Sequence, residues 1–114
     1  MARPYVPDRG DIVWLRFDPQ AGREHAGRRP AVVLSPRAYN QRVGLALFCP
    51  ITTRVKGYPF EVPLPARTKL EGVILSDQVK SLDWKARSAS KLARVSRGVM
   101  EEVTKRVLAL VDPE

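Results

Sequence analysis

The feature that most constrains the fold is the spacing of short apolar runs between turn-forming residues. Residues 11–17 read DIVWLRF, so Ile12 and Trp14 would face one side and Val13 and Leu15 the other, which is typical of a β-strand. Further short strands are predicted over residues 30–35, 45–51, 59–64, 73–75 and 78–82. Strands this short, joined by turns, predict a small twisted sheet or barrel.

Two segments carry helical signals. Residues 35–44 open with Ser-Pro and end at a glycine, which predicts a short helix or turn inserted between strands. Near the carboxyl end, Ser96 can cap a helix that runs to about Val111, because valines recur there at every fourth position. Leu108 and Leu110 would widen its apolar stripe. The class expected is therefore α+β or β-barrel, with the last helix covering the sheet.

Length and charge suggest one domain with a polyanionic partner. A chain of 114 residues supports a single domain, here residues 1–114. Lys and Arg number 20 against 12 Asp and Glu, a formal net charge of +8, and the cations concentrate in residues 23–42 and 80–97. Clustered cations, arginine above all, favour RNA or DNA as the partner, although a merely solvated basic surface stays open.

The absence of long apolar runs and the scarcity of cysteine and histidine exclude several classes of protein. No apolar run approaches the ~18 residues that a membrane span needs, and residues 1–10 lack the apolar stretch of a secretion signal. Cys49 is the one cysteine and His25 the one histidine, which excludes an internal disulfide, a multi-cysteine zinc site and a two-histidine acid–base pair within the chain. No metal or cofactor is expected, and a cytoplasmic location fits the cysteine count.

The polar segment 18–29 is the most informative place for chemistry. It reads as a loop that carries Glu24, His25 and Arg29 just before a buried strand. Cleaving RNA without metal requires a base for the 2′-hydroxyl, positive charge for the phosphorane and a proton for the leaving oxygen. Glu24 or His25 could supply the base, Arg29 the charge, and Thr52 a hydroxyl donor to a phosphate oxygen. The alternative interpretation is purely structural: these side chains only form ion pairs, loop caps and turns.

Three further side chains have a structural and a functional interpretation. Cys49 lies in an apolar run and is expected to be a buried, inert thiol. Trp14 lies in an alternating strand and is expected in the core or an interface, whereas Trp84, followed by cations, is the better candidate for stacking on bases at the surface.

Short motifs in order along nearly the whole chain match one known family. They are YVPD at 5–8, FDP at 17–19, RPAVVLS at 29–35, PITT at 50–53, KGYPFEV at 56–62 and DQVKS at 77–81. In these motifs the chain resembles the MazF-type (PemK-like) toxins of bacterial toxin–antitoxin pairs.

The resemblance implies an mRNA interferase. Such a protein is a sequence-specific, metal-independent endoribonuclease that cuts single-stranded mRNA by 2′-hydroxyl attack, leaving 2′,3′-cyclic phosphate and 5′-hydroxyl ends. It also implies a small SH3-like β-barrel of five to seven short strands, with a short inserted helix and a C-terminal helix. The implied partners are single-stranded RNA, a second copy in a homodimer, and a MazE-like antitoxin with an acidic tail, in the bacterial cytoplasm.

The resemblance also assigns residues. Arg29, Thr52 and Glu24 fall on the catalytic positions: Arg29 for charge stabilisation, Thr52 for phosphate positioning and Glu24 for base or positioning work. The implied RNA contacts are Phe17, Arg28, Lys56, Asp77, Gln78 and Lys80. Arg28 stands where close relatives carry a histidine, which bears on the cleavage site.

Two alternative functions remain open at this stage. One is a non-catalytic nucleic-acid-binding module on the same small barrel, and the other is a CcdB-like gyrase poison of the same fold. A pure binder would have no cleavage to lose on removal of Arg29 or Thr52. A gyrase poison would carry its key residues at the C-terminal end, where LALVDPE gives no such sign.

Overall fold

The computed structural model describes residues 4–16 and 27–113. The strands are β1 (Asp11–Arg16), β2 (Arg28–Val33), β3 (Ala46–Thr52), β4 (Glu61–Pro63), β5 (Val73–Leu75), β6 (Lys80–Leu82) and β7 (Ser90–Arg94). The helices are α1 (Arg37–Val43) and α2 (Arg97–Val111), and a single 3-10 turn covers Ala66–Thr68. Neither described helix combines the length and the apolar composition that a membrane crossing requires.

The strands form one antiparallel sheet in the order β4-β5-β3-β2-β1-β7, with β6 paired to β3 outside this path. Strand β3 organises the sheet, because it pairs with β2 along one side and with β6 and then β5 along the other. The predicted α+β class, the inserted helix and the C-terminal helix are confirmed. The pairing among the described residues leaves β4 and β7 as edges, so it does not close the sheet into a barrel.

Alternation along β1 divides the core between the two faces of the sheet. Ile12 packs in one cluster together with Met100 and Val103 of α2. Val13 packs in the other, together with Phe48. Complete burial of side chains of this size contributes roughly 1.5–3 kcal/mol each, so the sheet is stabilised from both sides.

Helix α2 begins as predicted, at the Ser96 cap, whose side chain accepts a hydrogen bond from the Val99 amide at 3.2 Å. Its last turn differs from the prediction. Leu108 and Leu110 are 50% and 51% exposed, and do not widen the buried stripe. Neither belongs to the core cluster that Met100 and Val103 of the same helix join, so apolar spacing alone overstates the buried face.

One predicted boundary is wrong, and one strand was not predicted. Strand β2 begins at Arg28, inside the predicted loop, because Arg28 and Arg29 pair with β1. Strand β7 was not predicted, because its sequence SKLAR is charged and mostly exposed. It forms because it pairs with β1, where the Arg94 guanidinium donates to the buried Asp11 carboxylate at 2.8 Å.

Candidate active site

The pairing of β2 with β3 brings Arg29 and Thr52 to the same end of the two strands. The antiparallel ladder runs from Val33 opposite Phe48 to Ala31 opposite Pro50. Arg29 and Thr52 each lie two residues beyond the Ala31–Pro50 pair, on β2 and β3 respectively. Although they are 23 positions apart in the chain, these two of the three predicted catalytic residues line the same cavity.

Both residues line a surface cavity of about 730 Å³. The polar side chains around it are Arg28, Arg29, Thr52, Thr53, Arg54 and Glu71. Three guanidinium groups against one carboxylate make the cavity cationic, and both Arg28 and Arg29 are exposed to solvent. A guanidinium presents a planar fork of donors that matches phosphate oxygens, so the cavity suits a phosphodiester.

The structure holds Thr52 firmly in this cavity. Its Oγ1 accepts a hydrogen bond from the Arg54 amide at 3.1 Å, which leaves the hydroxyl hydrogen available to donate elsewhere. On the other side, Gly72 of the β4–β5 connection lies against the Thr52 backbone, where a Cβ would come within 2.4 Å of the Thr52 carbonyl oxygen. The close approach fixes the end of β3.

The two tryptophans lie in different surroundings. Trp14 is half-buried beside the cavity, and the guanidinium carbon of Arg28 lies 5.3 Å from its ring centroid, a cation–π contact. Trp84 is only 8% exposed and donates its Nε1–H to the Asn40 carbonyl at 3.0 Å. The expectation that Trp84 is the surface aromatic is therefore wrong, because its ring completes a core cluster beneath the sheet.

A smaller cavity of about 200 Å³ adjoins the first and shares Thr52 and Arg54 with it. Two predicted RNA contacts, Lys56 and Gln78, line this second cavity. Five of the predicted site residues therefore line two cavities that share Thr52 and Arg54: Arg28, Arg29, Thr52, Lys56 and Gln78.

Two other predicted RNA contacts, Asp77 and Lys80, do not line either cavity. Asp77 accepts a hydrogen bond from the Tyr58 hydroxyl at 2.8 Å, and this bond raises the pKa of Tyr58. Lys80 is exposed in β6, opposite Phe48 of β3, and is not among the residues that line either cavity.

Sequence reasoning missed several residues of this surface. Arg54 borders both cavities, and Tyr58 and Glu61 line the smaller one. A signal was present, since Arg54 directly follows the Thr pair and the other two belong to the KGYPFEV motif.

Some predictions cannot be placed. Glu24 and Phe17 lie outside the described residues, as does His25. Within residues 4–16 and 27–113, no three His, Cys, Asp or Glu side chains cluster in a way that could hold a metal ion.

Residues 8–111 match the family described as PemK-like, MazF-like toxin of type II toxin–antitoxin systems. The chain belongs to this family. It is 48% identical to the endoribonuclease toxin MazF of Escherichia coli K12 over 97% of this chain and 99% of that one. It is 41% identical to the endoribonuclease toxin ChpB of the same strain, over 92% and 94% of the two chains. The predicted family and the predicted enzyme class, an endoribonuclease, are confirmed.

The fold agrees with this assignment. A crystal structure of MazE–MazF from Deinococcus radiodurans superposes with a TM-score of 0.87 at 53% identity, over 94% of this chain and 97% of that one. Because both alternatives share this fold, it is the similarity to endoribonuclease toxins that favours this class over a purely binding module and a gyrase poison.

Proposed function

We propose that this endoribonuclease toxin cuts single-stranded mRNA at short sequence sites through its 2′-hydroxyl, without a metal or other cofactor. The observation that carries the proposal is that Arg29 and Thr52 line one cationic cavity, just beyond the end of the β2–β3 ladder. The proposed products are a 2′,3′-cyclic phosphate and a 5′-hydroxyl.

In the proposed reaction the 2′-oxygen attacks the adjacent phosphorus and the bond from phosphorus to the 5′-oxygen breaks. The 2′-hydroxyl proton passes to a base, and the leaving 5′-oxygen takes up a proton. Arg29 stabilises the negative charge that grows on the phosphorane, since a pKa above about 12 makes guanidinium a poor base. Thr52 donates its hydroxyl hydrogen to a phosphate oxygen. Glu24 is proposed as the base or as the residue that positions it.

The RNA is proposed to run from the larger cavity into the smaller one. Arg28, stacked on Trp14, would hold a phosphate beside the scissile one, and Lys56 would hold another beyond Thr52. Asp77 and Gln78 would read the edges of unstacked bases. Phe17 would stack on a base at the entrance, and Lys80 would attract the strand from β6.

We further propose that a MazE-like antitoxin with an acidic tail neutralises the chain, and that the chain is a cytoplasmic bacterial homodimer. The solved relative from Deinococcus radiodurans is a MazE–MazF complex. A formal net charge of +8 favours an acidic partner. The single domain over residues 1–114 and an SH3-like barrel arrangement of its strands belong to the same proposal.

The test is cleavage of a long single-stranded RNA by purified protein in EDTA, with primer extension to map the cuts. Arg29→Ala and Thr52→Ala are compared with wild type. Loss of a transition-state donor of this kind costs about 10²–10³ in kcat. Arg29→Lys should stay well below wild type, because an ammonium group cannot reproduce the planar fork. Arg42→Ala, in the last turn of α1, removes an exposed arginine elsewhere and should cut normally.

Discrete cuts with 5′-hydroxyl ends, lost in the first two variants, are the expected result. Cleavage that stops in EDTA would contradict metal independence. An intact RNA that wild type still shifts on a gel would favour the binding module, and neither cleavage nor a shift would favour a protein target such as gyrase.

A further inference from the structure

The carboxylate of Glu61, the first residue of β4, binds two consecutive backbone amides. Its Oε2 accepts the Lys56 N–H at 2.8 Å and its Oε1 accepts the Gly57 N–H at 2.9 Å. Successive amides that converge in this way form an anion-binding concavity. Here the occupant comes from the chain itself, and both carboxylate oxygens are engaged.

The same segment is fastened at two further points. The Glu61 amide donates to the Tyr58 carbonyl at 3.1 Å, which closes a turn from Tyr58 to Glu61 within the segment 56–61. The Arg106 Nε–H of α2 donates to the Pro59 carbonyl at 2.8 Å. Gly57, at φ +84°, supplies the left-handed backbone that brings the two amides together. The turn therefore has a defined shape although Lys56 and Gly57 are exposed.

The location of this turn gives it a consequence for RNA. Lys56 and Glu61 both line the smaller cavity, together with Thr52 and Gln78. A carboxylate in a groove for a polyanion costs binding energy through repulsion. The two hydrogen bonds to backbone amides give this carboxylate a structural role that offsets the repulsion.

We infer that Glu61 is a positioning residue for RNA binding, which acts by holding the backbone of Lys56 so that its ammonium group meets a phosphate beside Thr52. The inference rests on the proposed function, because it places the RNA in these two cavities. Glu61 acts through Lys56, because both of its carboxylate oxygens are bound by backbone amides.

The test uses Glu61→Gln, a substitution with two opposing effects on the affinity for RNA. The amide keeps the size of the side chain and has one acceptor oxygen, so it can satisfy only one of the two N–H groups. Loss of the negative charge alone would tighten the binding of RNA. Loss of the turn geometry would weaken it by about tenfold, the scale of one hydrogen bond to a charged group.

Binding is measured at several salt concentrations with an RNA that contains the mapped site and a 2′-O-methyl group at the scissile position. Glu61→Gln and Lys56→Ala should weaken binding equally, and each should reduce the salt slope by about 0.7, the value for one contact with a single strand. The double variant should bind no worse than Lys56→Ala. In cleavage assays KM should rise while kcat changes little. Glu101→Gln, which removes the same charge from an exposed ion pair on α2, should bind as wild type does.

Tighter binding by Glu61→Gln, or additive losses in the double variant, would overturn the inference. If Glu61→Gln does not fold, Gly57→Ala decides in its place. That variant strains the same amide pair with no atom within 4 Å of the new Cβ, and should give the same weakened binding. A wild-type protein that neither binds nor cuts RNA would overturn the proposed function itself. If wild type cuts RNA and Lys56→Ala weakens binding as expected, but Glu61→Gln binds as wild type does, only the inference is overturned.

Discussion

Arg29 shows how backbone placement changes the role of a single residue. The sequence predicted it at the end of a polar loop, whereas it lies in β2 opposite Leu15 of β1. A paired strand fixes the backbone of Arg29, so the proposed stabilisation of charge on a phosphate would need less reorganisation. The side chain itself is exposed to solvent.

Cys49 gives a prediction about reactivity. It is fully buried in the core, and burial raises the pKa of its thiol to about 12. Since the thiolate is the nucleophile and the fold disfavours the charged form, the native protein should resist iodoacetamide at pH 8, and labelling should become complete on unfolding in guanidinium chloride. Mass spectrometry of both samples checks this. Rapid labelling of the folded protein would contradict the buried placement.

At the scale of elements, the contact between the β4–β5 connection and β3 holds the site together. Gly72 has φ +130°, and a Cβ there would lie 2.4 Å from the carbonyl oxygen of Thr52. Gly72→Ala should therefore destabilise the protein by about 1–3 kcal/mol, the cost of a strained backbone conformation. It should also reduce cleavage, because the end of β3 must shift. Urea unfolding and the cleavage assay measure the two effects separately.

Gly44→Ala is the matched control for this substitution. Gly44 also has a positive φ, of +83°, at the C-cap of α1, but no atom lies within 4 Å of the added Cβ. It should lose about 1 kcal/mol of stability and cleave RNA as wild type does. If Gly72→Ala and Gly44→Ala lose cleavage activity equally, the loss is caused by reduced stability and not by displacement of Thr52.

At the scale of the whole molecule, the net charge of +8 predicts strongly salt-dependent binding of RNA. The logarithm of the association constant should fall linearly with the logarithm of the salt concentration, by about 0.7 for each phosphate neutralised. Arg29→Ala should lower this slope by one such step, whereas Arg42→Ala should leave it unchanged. Fluorescence anisotropy with the uncleavable RNA measures the slope, and a flat dependence would contradict a phosphate-binding groove.

Several elements could be predicted from local signals. Apolar alternation located β1, the strand Val73–Leu75 was predicted with its observed bounds, and the Ser96 cap located the start of α2. Local signals failed where pairing decided the outcome. Strand β7 has an exposed, charged sequence that is not typical of a strand, and it exists because β1 offers it an edge.

The candidate site divides in the same way. By itself the sequence determined which chemical groups are present: its motifs nominated Arg29, Thr52 and Lys56, and its charge indicated a polyanion. Only the tertiary structure decided that Arg29 and Thr52 line one cavity, that Trp14 and not Trp84 lies beside it, and that Glu61 binds the backbone amide of Lys56. The physical reason is that propensity and periodicity act over a few residues, whereas register, burial and the meeting of distant side chains depend on long-range pairing.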